Sequence, residues 1–155
     1  GLFVRGFLLN NELTDFSFTP SADGKQVANR VQSQKRPRSS MAPVIIYSPE
    51  GELRFILGSP GGSRIINYVA QTILGLIDFD LSPQDAVDLG KISSRNGTVD
   101  LEKNTAMAGL KGYLEAKGNR VKLRDLNSGL HIIAVNQSQL IGAADPRREG
   151  IGLGR

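Results

Sequence analysis

Gly58-Ser59-Pro60-Gly61-Gly62-Ser63 joins two apolar runs, Leu53 to Leu57 before it and Ile65 to Ile77 after it. The first run is short enough to be a strand. The second places Ile65, Ile66, Val69, Ile73, Leu76 and Ile77 at three- and four-residue intervals, the stripe of a helix with one buried face. Strand, glycine-rich turn and helix N-terminus thus follow one another. Two consecutive glycines let the backbone turn tightly and approach a ligand without interference from a Cβ. Amides at a helix N-terminus lack intrahelical acceptors, and the helix dipole there favours negative charge, so the turn suits an anion or a developing oxyanion. A plain strand-to-helix turn that needs positive φ is the competing reading. The spacing is not that of a dinucleotide fingerprint, and no lysine follows the glycines as in a phosphate-binding P-loop.

Outward from this turn the pattern is mixed helix and strand. Val44 to Tyr47 and Leu53 to Leu57, joined by Ser48-Pro49-Glu50-Gly51, predict an antiparallel hairpin. Residues 2 to 9 predict a buried strand, and Asn10 to about Ala42, punctuated by Pro20, Gly24 and Pro37, a long loop of the kind that is usually functional or mobile. Downstream, Ser82-Pro83-Gln84-Asp85 combines a capping hydroxyl, a proline at the first helical position and an early acid, which predicts a short helix ending by Gly90. Residues 98 to 102 read as extended. A second helix is expected from about Thr105 to Lys117, stopped by Gly118. Val121 to Leu123, Leu130 to Val135 and Leu140 to Ala143 read as further strands.

Composition narrows the function classes. The 155 residues fit one domain, and 39% hydrophobic with 22% charged residues is a globular balance. No apolar run is long enough to span a bilayer as a helix. There is no cysteine and one histidine, so thiol chemistry and Cys/His metal clusters are excluded, and no metal or cofactor is expected. The net charge of +4 admits nucleic acid as a partner, but no aromatic residue lies inside the basic cluster Lys35, Arg36, Arg38, so no stacking platform accompanies it and no nucleic-acid partner is expected. His131, within Leu130-His-Ile-Ile-Ala-Val, has no carboxylate within four residues and reads as a structural strand histidine.

Three further groups of residues carry candidate chemistry. In Asn10-Asn11-Glu12-Leu13-Thr14-Asp15, Glu12 and Asp15 together offer two carboxylates for an ammonium group, against a solvated loop with Asx turns. Ser39-Ser40, behind Lys35-Arg36-Pro37-Arg38, offers two hydroxyl donors for a carboxylate, against a basic linker, a phosphorylation target or an import-like patch. Asp145-Pro146-Arg147 is as well suited to an internal ion pair fastening the tail as to a binding site.

In order and spacing, Leu8-Leu9-Asn10-Asn11-Glu12-Leu13-Thr14-Asp15-Phe16, Lys35-Arg36-Pro37-Arg38-Ser39-Ser40-Met41, Gly58-Ser59-Pro60-Gly61-Gly62-Ser63-Arg64 and the ending Gly142-Ala-Ala-Asp145-Pro146-Arg147 resemble the γ-glutamyltranspeptidase family. The resemblance covers the C-terminal, larger part of that family's small subunit and implies an α+β fold. That fold is part of the four-layer α/β/β/α sandwich of N-terminal-nucleophile hydrolases, with the first strands and the nucleophile missing. Residues 1–155 are accordingly expected to be a single-domain fragment. Family members are made as zymogens that cleave themselves into large and small subunits, and the freed N-terminal threonine attacks the γ-carbonyl. A γ-glutamyl-enzyme ester forms, and its glutamyl group is transferred to water or to an amino acid or peptide amine. Carried over by resemblance, Glu12 and Asp15 hold the substrate α-amino group, Ser39 and Ser40 its α-carboxylate, and the Gly61 and Gly62 amides the oxyanion.

The implied partners are a glutathione-like γ-glutamyl substrate, the large subunit and the N-terminal part of the small subunit, with self-association of the fragment through an open sheet edge as a further expectation. The implied location is periplasmic or secreted. Gly1 has no side chain, so this chain alone is expected to be inactive. Thr14 stands where many members have an acid and Arg38 where a smaller residue is common, and neither position is among the six carried-over residues. A related cephalosporin-type acylase and a non-enzymatic basic binding module are the alternatives.

Overall fold

The computed structural model describes residues 2–137 and 139–153, and Gly1, whose missing side chain bears on the nucleophile, lies outside them. The chain forms two compact units, Gly1–Ser39 and Ser40–Arg155.

In the first unit the expected buried strand over residues 2 to 9 is instead a small exposed hairpin. Strands β1 (Phe3–Val4) and β2 (Phe7–Leu8) pair antiparallel, Phe3 opposite Leu8 and Val4 opposite Phe7. Arg5 and Gly6 between them both take positive φ, 48° and 89°, the conformation of a two-residue hairpin turn. The Leu9 N–H donates to the Leu2 carbonyl at 2.8 Å and closes the hairpin. The Arg5-Gly6 turn signal outweighs the apolar count around it. The expected long loop carries local order: a 3-10 turn over Glu12–Asp15 and a second hairpin of β3 (Ser21–Ala22) and β4 (Lys25–Gln26), turned at Asp23 and Gly24. Phe16 is buried.

The second unit is built on an antiparallel sheet. β5 (Val44–Tyr47) and β6 (Leu53–Gly58) form the expected hairpin, with a register shift between Ile46 and Tyr47. Helix α1 (Ile65–Ile77) follows the glycine turn, and α2 (Pro83–Asp88) starts at Ser82, whose Oγ accepts from the Asp85 N–H at 3.2 Å. Such a cap contributes about 1 kcal/mol. β7 (Ile92–Ser94), which the sequence did not reveal, pairs antiparallel with β8 (Val99–Glu102). The expected helix from Thr105 to Lys117 is two pieces, a 3-10 turn over Ala106–Leu110 and α3 (Lys111–Ala116). Gly109 and Gly112 lie within this segment and weaken a continuous α-helix. This crossover brings β9 (Val121–Arg124) parallel to β8, and β10 (His131–Asn136) and β11 (Gln139–Ala144) complete the fold. The sheet orders are β11-β10-β6-β5 and β7-β8-β9.

The core lies where α1 and α2 cover one face of the four-stranded sheet, with Leu57, Ile132 and Ala143 from the strands against Ile65, Val69, Leu76, Ala86 and Val87 from the helices. Two residues of the expected α1 stripe, Ile66 and Ile77, are exposed, and Tyr68 and Thr72 are buried instead. At 3.6 residues per turn the buried face runs through 65, 68, 69, 72 and 76, and positions 66 and 77 rotate off it. β7 is bound to α1 through polar side chains: Ser93 Oγ donates to Asn67 Oδ1 at 3.0 Å, and the Ile92 N–H donates to Gln71 Oε1 at 3.2 Å.

Candidate functional site

The chain leaves β6 at Gly58, turns through Gly61 (φ 141°) and Gly62 (φ 56°), and enters α1 by a 3-10 turn over Gly62–Arg64. Neither glycine N–H donates to an acceptor among the described residues. The two glycines differ in surroundings. A Cβ on Gly61 would stand 2.7 Å from Tyr68 Cε2, whereas a Cβ on Gly62 would meet nothing within 4 Å. One side of the turn is therefore packed and the other is open.

Several contacts hold this turn. The Gly129 N–H donates to Ser59 Oγ at 3.2 Å, and Pro60 packs so closely on Gly129 that a Cβ there would lie 2.7 Å from Pro60 Cγ. Arg95 Nη1 donates to Ser63 Oγ at 2.5 Å. Arg64 Nη2 and Arg124 Nε each reach one oxygen of Asp100 at 2.8 Å. Burial of Asp100 pushes its carboxyl up, but the hydrogen bonds from the two guanidiniums prevail and hold it below the usual range. Free amides, positive φ and a fixed frame suit the turn to receive negative charge at the start of α1.

Glu12 and Asp15 occupy one 3-10 turn, and both are exposed. Asn29 Nδ2 donates to the Asp15 carbonyl at 2.7 Å, while Asn29 Oδ1 accepts from the Arg38 N–H at 2.9 Å. One side chain thus joins the acidic turn to the segment that ends in Ser39, all within the first unit. Lys35 Nζ donates to the Ala28 carbonyl and braces the same loop. Ser40, half-buried, Gly61 and Gly62 belong to the second unit.

The structure resolves Asp145-Pro146-Arg147 as an internal ion-pair network. Asp145 is buried, accepting from Ser128 Oγ at 2.6 Å and from the Leu130 N–H at 3.2 Å. Arg147 reaches Glu102 Oε1 at 2.6 Å and Asp145 Oδ1 at 3.0 Å, and it donates to the Val87, Asp88 and Leu89 carbonyls at the end of α2. Burial raises the Asp145 carboxyl, but the bonds from Ser128, Arg147 and Leu130 outweigh it and the group stays below the usual range. Lys91 is fully buried in the same network, donating to the Val87 carbonyl at 2.7 Å. His131 is a strand residue with Nδ1 3.1 Å from the Gly129 carbonyl.

Sequence reasoning missed Asn29, Arg64, Tyr68, Asp100 and Glu102. A signal existed for two of them: Val99-Asp100-Leu101-Glu102 alternates in a strand, which puts both acids on one face. Their partners, at positions 64, 124 and 147, are too distant in sequence for spacing to show.

The γ-glutamyltranspeptidase family model matches residues 1–154. Over 150 residues the chain is 37% identical to a glutathione hydrolase proenzyme of Escherichia coli K12, covering 92% of this chain and 26% of that protein. Over 165 residues it is 34% identical to a glutathione hydrolase proenzyme of Pseudomonas aeruginosa, covering 99% of this chain and 29% of that protein. The chain therefore spans little more than a quarter of the length of these relatives. A solved γ-glutamyltranspeptidase from Pseudomonas nitroreducens, a highly active mutant, superposes with a TM-score of 0.82 at 32% identity over 97% of this chain and 82% of that one. That likeness gives the chain the α+β fold of the N-terminal-nucleophile hydrolases. No described helix is long and apolar enough to cross a membrane. A glycine turn with free amides at the start of α1, an acidic turn joined through Asn29 to Arg38 and a match over almost every residue agree: the chain belongs to the γ-glutamyltranspeptidase family.

Proposed function

We propose that this chain supplies the substrate clamp and the oxyanion site of an enzyme that cleaves γ-glutamyl amides and transfers the glutamyl group to water or to an amino acid or peptide amine. The observation that carries the reading is the Gly61-Gly62 turn, with two amides that have no acceptor among the described residues, in a member of this family. The proposed attacking group is an N-terminal threonine hydroxyl outside residues 1–155. As it adds to the γ-carbonyl, the carbonyl oxygen gains a full charge, and the two amides stabilise that charge more than they stabilise the neutral substrate. Glu12 and Asp15 hold the α-amino group and Ser39 and Ser40 the α-carboxylate, which fixes the γ-carbonyl by its distance along the glutamyl chain. Two carboxylates favour a substrate carrying an ammonium group, as glutathione does, over an acyl group without one. A large subunit and the N-terminal part of the small subunit complete the enzyme, which works in the periplasm or outside the cell.

Steady-state kinetics of the self-cleaved, full-length protein on a γ-glutamyl anilide test this. Gly62→Ala points a methyl group into the open side of the turn and is expected to lower kcat about a hundredfold or more, the usual loss of one oxyanion donor. Asp15→Asn is expected to raise KM for the donor ~30-fold or more, the effect of losing roughly 2 kcal/mol or more from a charged hydrogen bond. Residues 1–155 alone are expected to release no anilide. Release by that fragment, or an unchanged KM in Asp15→Asn, overturns the assignment.

A further inference from the structure

We propose that Tyr68 is the positioning residue of the glycine turn, a buried ring that sets the direction of the Gly61 and Gly62 amides without touching substrate. This rests on the oxyanion reading of that turn. Tyr68 lies on the first turn of α1, is fully buried, and presents its ring edge to the one place at Gly61 where any other residue would carry a side chain. The would-be Cβ of Gly61 falls 2.7 Å from Cε2, 3.0 Å from Cδ2 and 3.7 Å from Ile65 Cγ1, so ring and backbone are in direct contact. Gly62 has no such neighbour. The ring therefore supports the turn from its inner side and leaves the outer side open.

The other contacts of the turn explain why such support matters. Ser59 and Pro60 are fixed against Gly129, and Ser63 and Arg64 are fixed by Arg95 and Asp100. Gly61 and Gly62 lie between these two anchors, and among the described residues their own amides make no hydrogen bond. Glycine has the broadest backbone freedom of any residue, so two in succession need an external wall to hold one conformation. Among the described residues the Tyr68 ring is that wall at Gly61. Donors for an oxyanion are effective when they are already aimed before charge develops, so a turn free to relax loses rate more than it loses substrate affinity.

The phenol oxygen is not the active part. Among the described residues it is buried with no hydrogen-bond partner within bonding geometry. The role belongs to the ring, and phenylalanine should fulfil it.

The test compares Tyr68→Phe, Tyr68→Leu and Gly62→Ala in the self-cleaved full-length protein. Three quantities are read: kcat, KM for a γ-glutamyl anilide, and inhibition by a glutamate analogue with a boronic acid at the γ position. That analogue forms a tetrahedral adduct with a hydroxyl nucleophile and so presents an oxyanion-like atom. Tyr68→Phe is expected to keep kcat within about twofold. Tyr68→Leu, which keeps an apolar side chain but removes the ring edge that meets Gly61, is expected to lower kcat about tenfold or more. It should weaken the boronate by a similar factor and leave KM within about twofold, because transition-state contacts are lost and ground-state contacts are kept. Loss of kcat in Tyr68→Phe equal to that in Tyr68→Leu overturns the ring assignment. So does a Tyr68→Leu protein with normal kcat and boronate affinity per active site. If Gly62→Ala also has normal kcat, the oxyanion reading itself has failed. If Gly62→Ala is slow while Tyr68→Leu is not, only the role of Tyr68 has failed. Should Tyr68→Leu accumulate uncleaved, Tyr68→Met is the second variant, judged by the same ratio of boronate affinity to KM.

Discussion

Replacing Lys91 by methionine removes a buried charge while keeping an unbranched side chain of similar length. The ammonium has one hydrogen bond, to the Val87 carbonyl, and no carboxylate within ion-pair distance among the described residues. Burial first, and then the like charge of Arg147, pull its titration from 10.5 to about 8, against the attraction of Asp145, Glu102 and Asp88. The unfolded chain keeps this proton up to 10.5 and the folded chain only up to about 8. Between those values the unfolded state binds more protons, so stability rises with pH there and is lowest, and flat, below about 8. With ~1.4 kcal/mol per pH unit, the charged form costs the fold about 3 kcal/mol at neutral pH.

Methionine avoids that cost and forfeits one hydrogen bond worth about 1 kcal/mol. The Val87 carbonyl keeps Arg147 Nη1 at 3.2 Å. Lys91→Met is therefore expected to stabilise the protein by about 2 kcal/mol near pH 6.5, and the gain is expected to fall by about 2 kcal/mol near pH 9.5, where the native lysine is already neutral. Urea unfolding followed by far-ultraviolet circular dichroism at the two pH values measures both differences. The change between the two pH values is the sharper quantity, because the lost hydrogen bond and any packing defect contribute equally at each. A stability difference that does not move with pH, or one that moves the other way, refutes the claim that Lys91 is buried as a strained cation.

Two further outcomes follow from the hydrogen-bond pattern. Asn29→Ala breaks both bonds that join the acidic turn to the Ser39 segment, and at about 1 kcal/mol each it is expected to raise KM for a γ-glutamyl donor roughly fivefold or more with kcat retained; a fall in kcat at constant KM would contradict it. Asp145→Asn is expected to destabilise the protein by about 3 kcal/mol near neutral pH, because it breaks a buried ion pair and leaves Arg147 partly unpaired. Since the Asp145 carboxyl is held below its ordinary 3.8 in the fold, the wild-type advantage is full above 3.8 and is lost as pH falls from there through the lower folded value, so the two unfolding curves should converge in acid.

The strand, turn and helix around Gly61-Gly62 were legible because a change of period and a pair of glycines are local signals. The hairpin of β5 and β6 and the start of α2 at Ser82 were legible for the same reason. Residues 2–9 were not, because an apolar count cannot distinguish a buried strand from an exposed hairpin and Arg5-Gly6 is a weaker hairpin signal than Asn-Gly. Six site residues were named from motif resemblance, but the residues that hold their segments were invisible. Asp100 needs Arg64 and Arg124, and Asp15 needs Asn29, pairings made by the fold across 14 to 36 positions. Tyr68 is not part of the apolar stripe read from the sequence, and its contact with Gly61 depends on how the turn meets α1.

A sheet with one face in water reads as alternating apolar and polar residues, whereas strands covered on both faces read as continuous apolar runs. Val44-Ile-Ile-Tyr47 and Phe55-Ile-Leu57 are of the second kind. One set, with Phe55, Leu57 and Ile132, faces α1 and α2 or their core. The other forms a row across three strands, Ile45 opposite Ile56 and Ile56 opposite Ile133, with Gly142 at its end. These three isoleucines are 57%, 38% and 43% exposed. Burying a fully exposed isoleucine contributes about 1.5 to 3 kcal/mol, and with roughly half of each still exposed the row represents roughly 2 to 4 kcal/mol of packing that α1 and α2 cannot supply from the opposite face. In an α/β/β/α sandwich this is the face that meets the second sheet, roughly 10 Å away. The continuous apolar runs of β5 and β6 are thus explained by the layer order of the fold, and the helix-facing core accounts for only half of their hydrophobic residues.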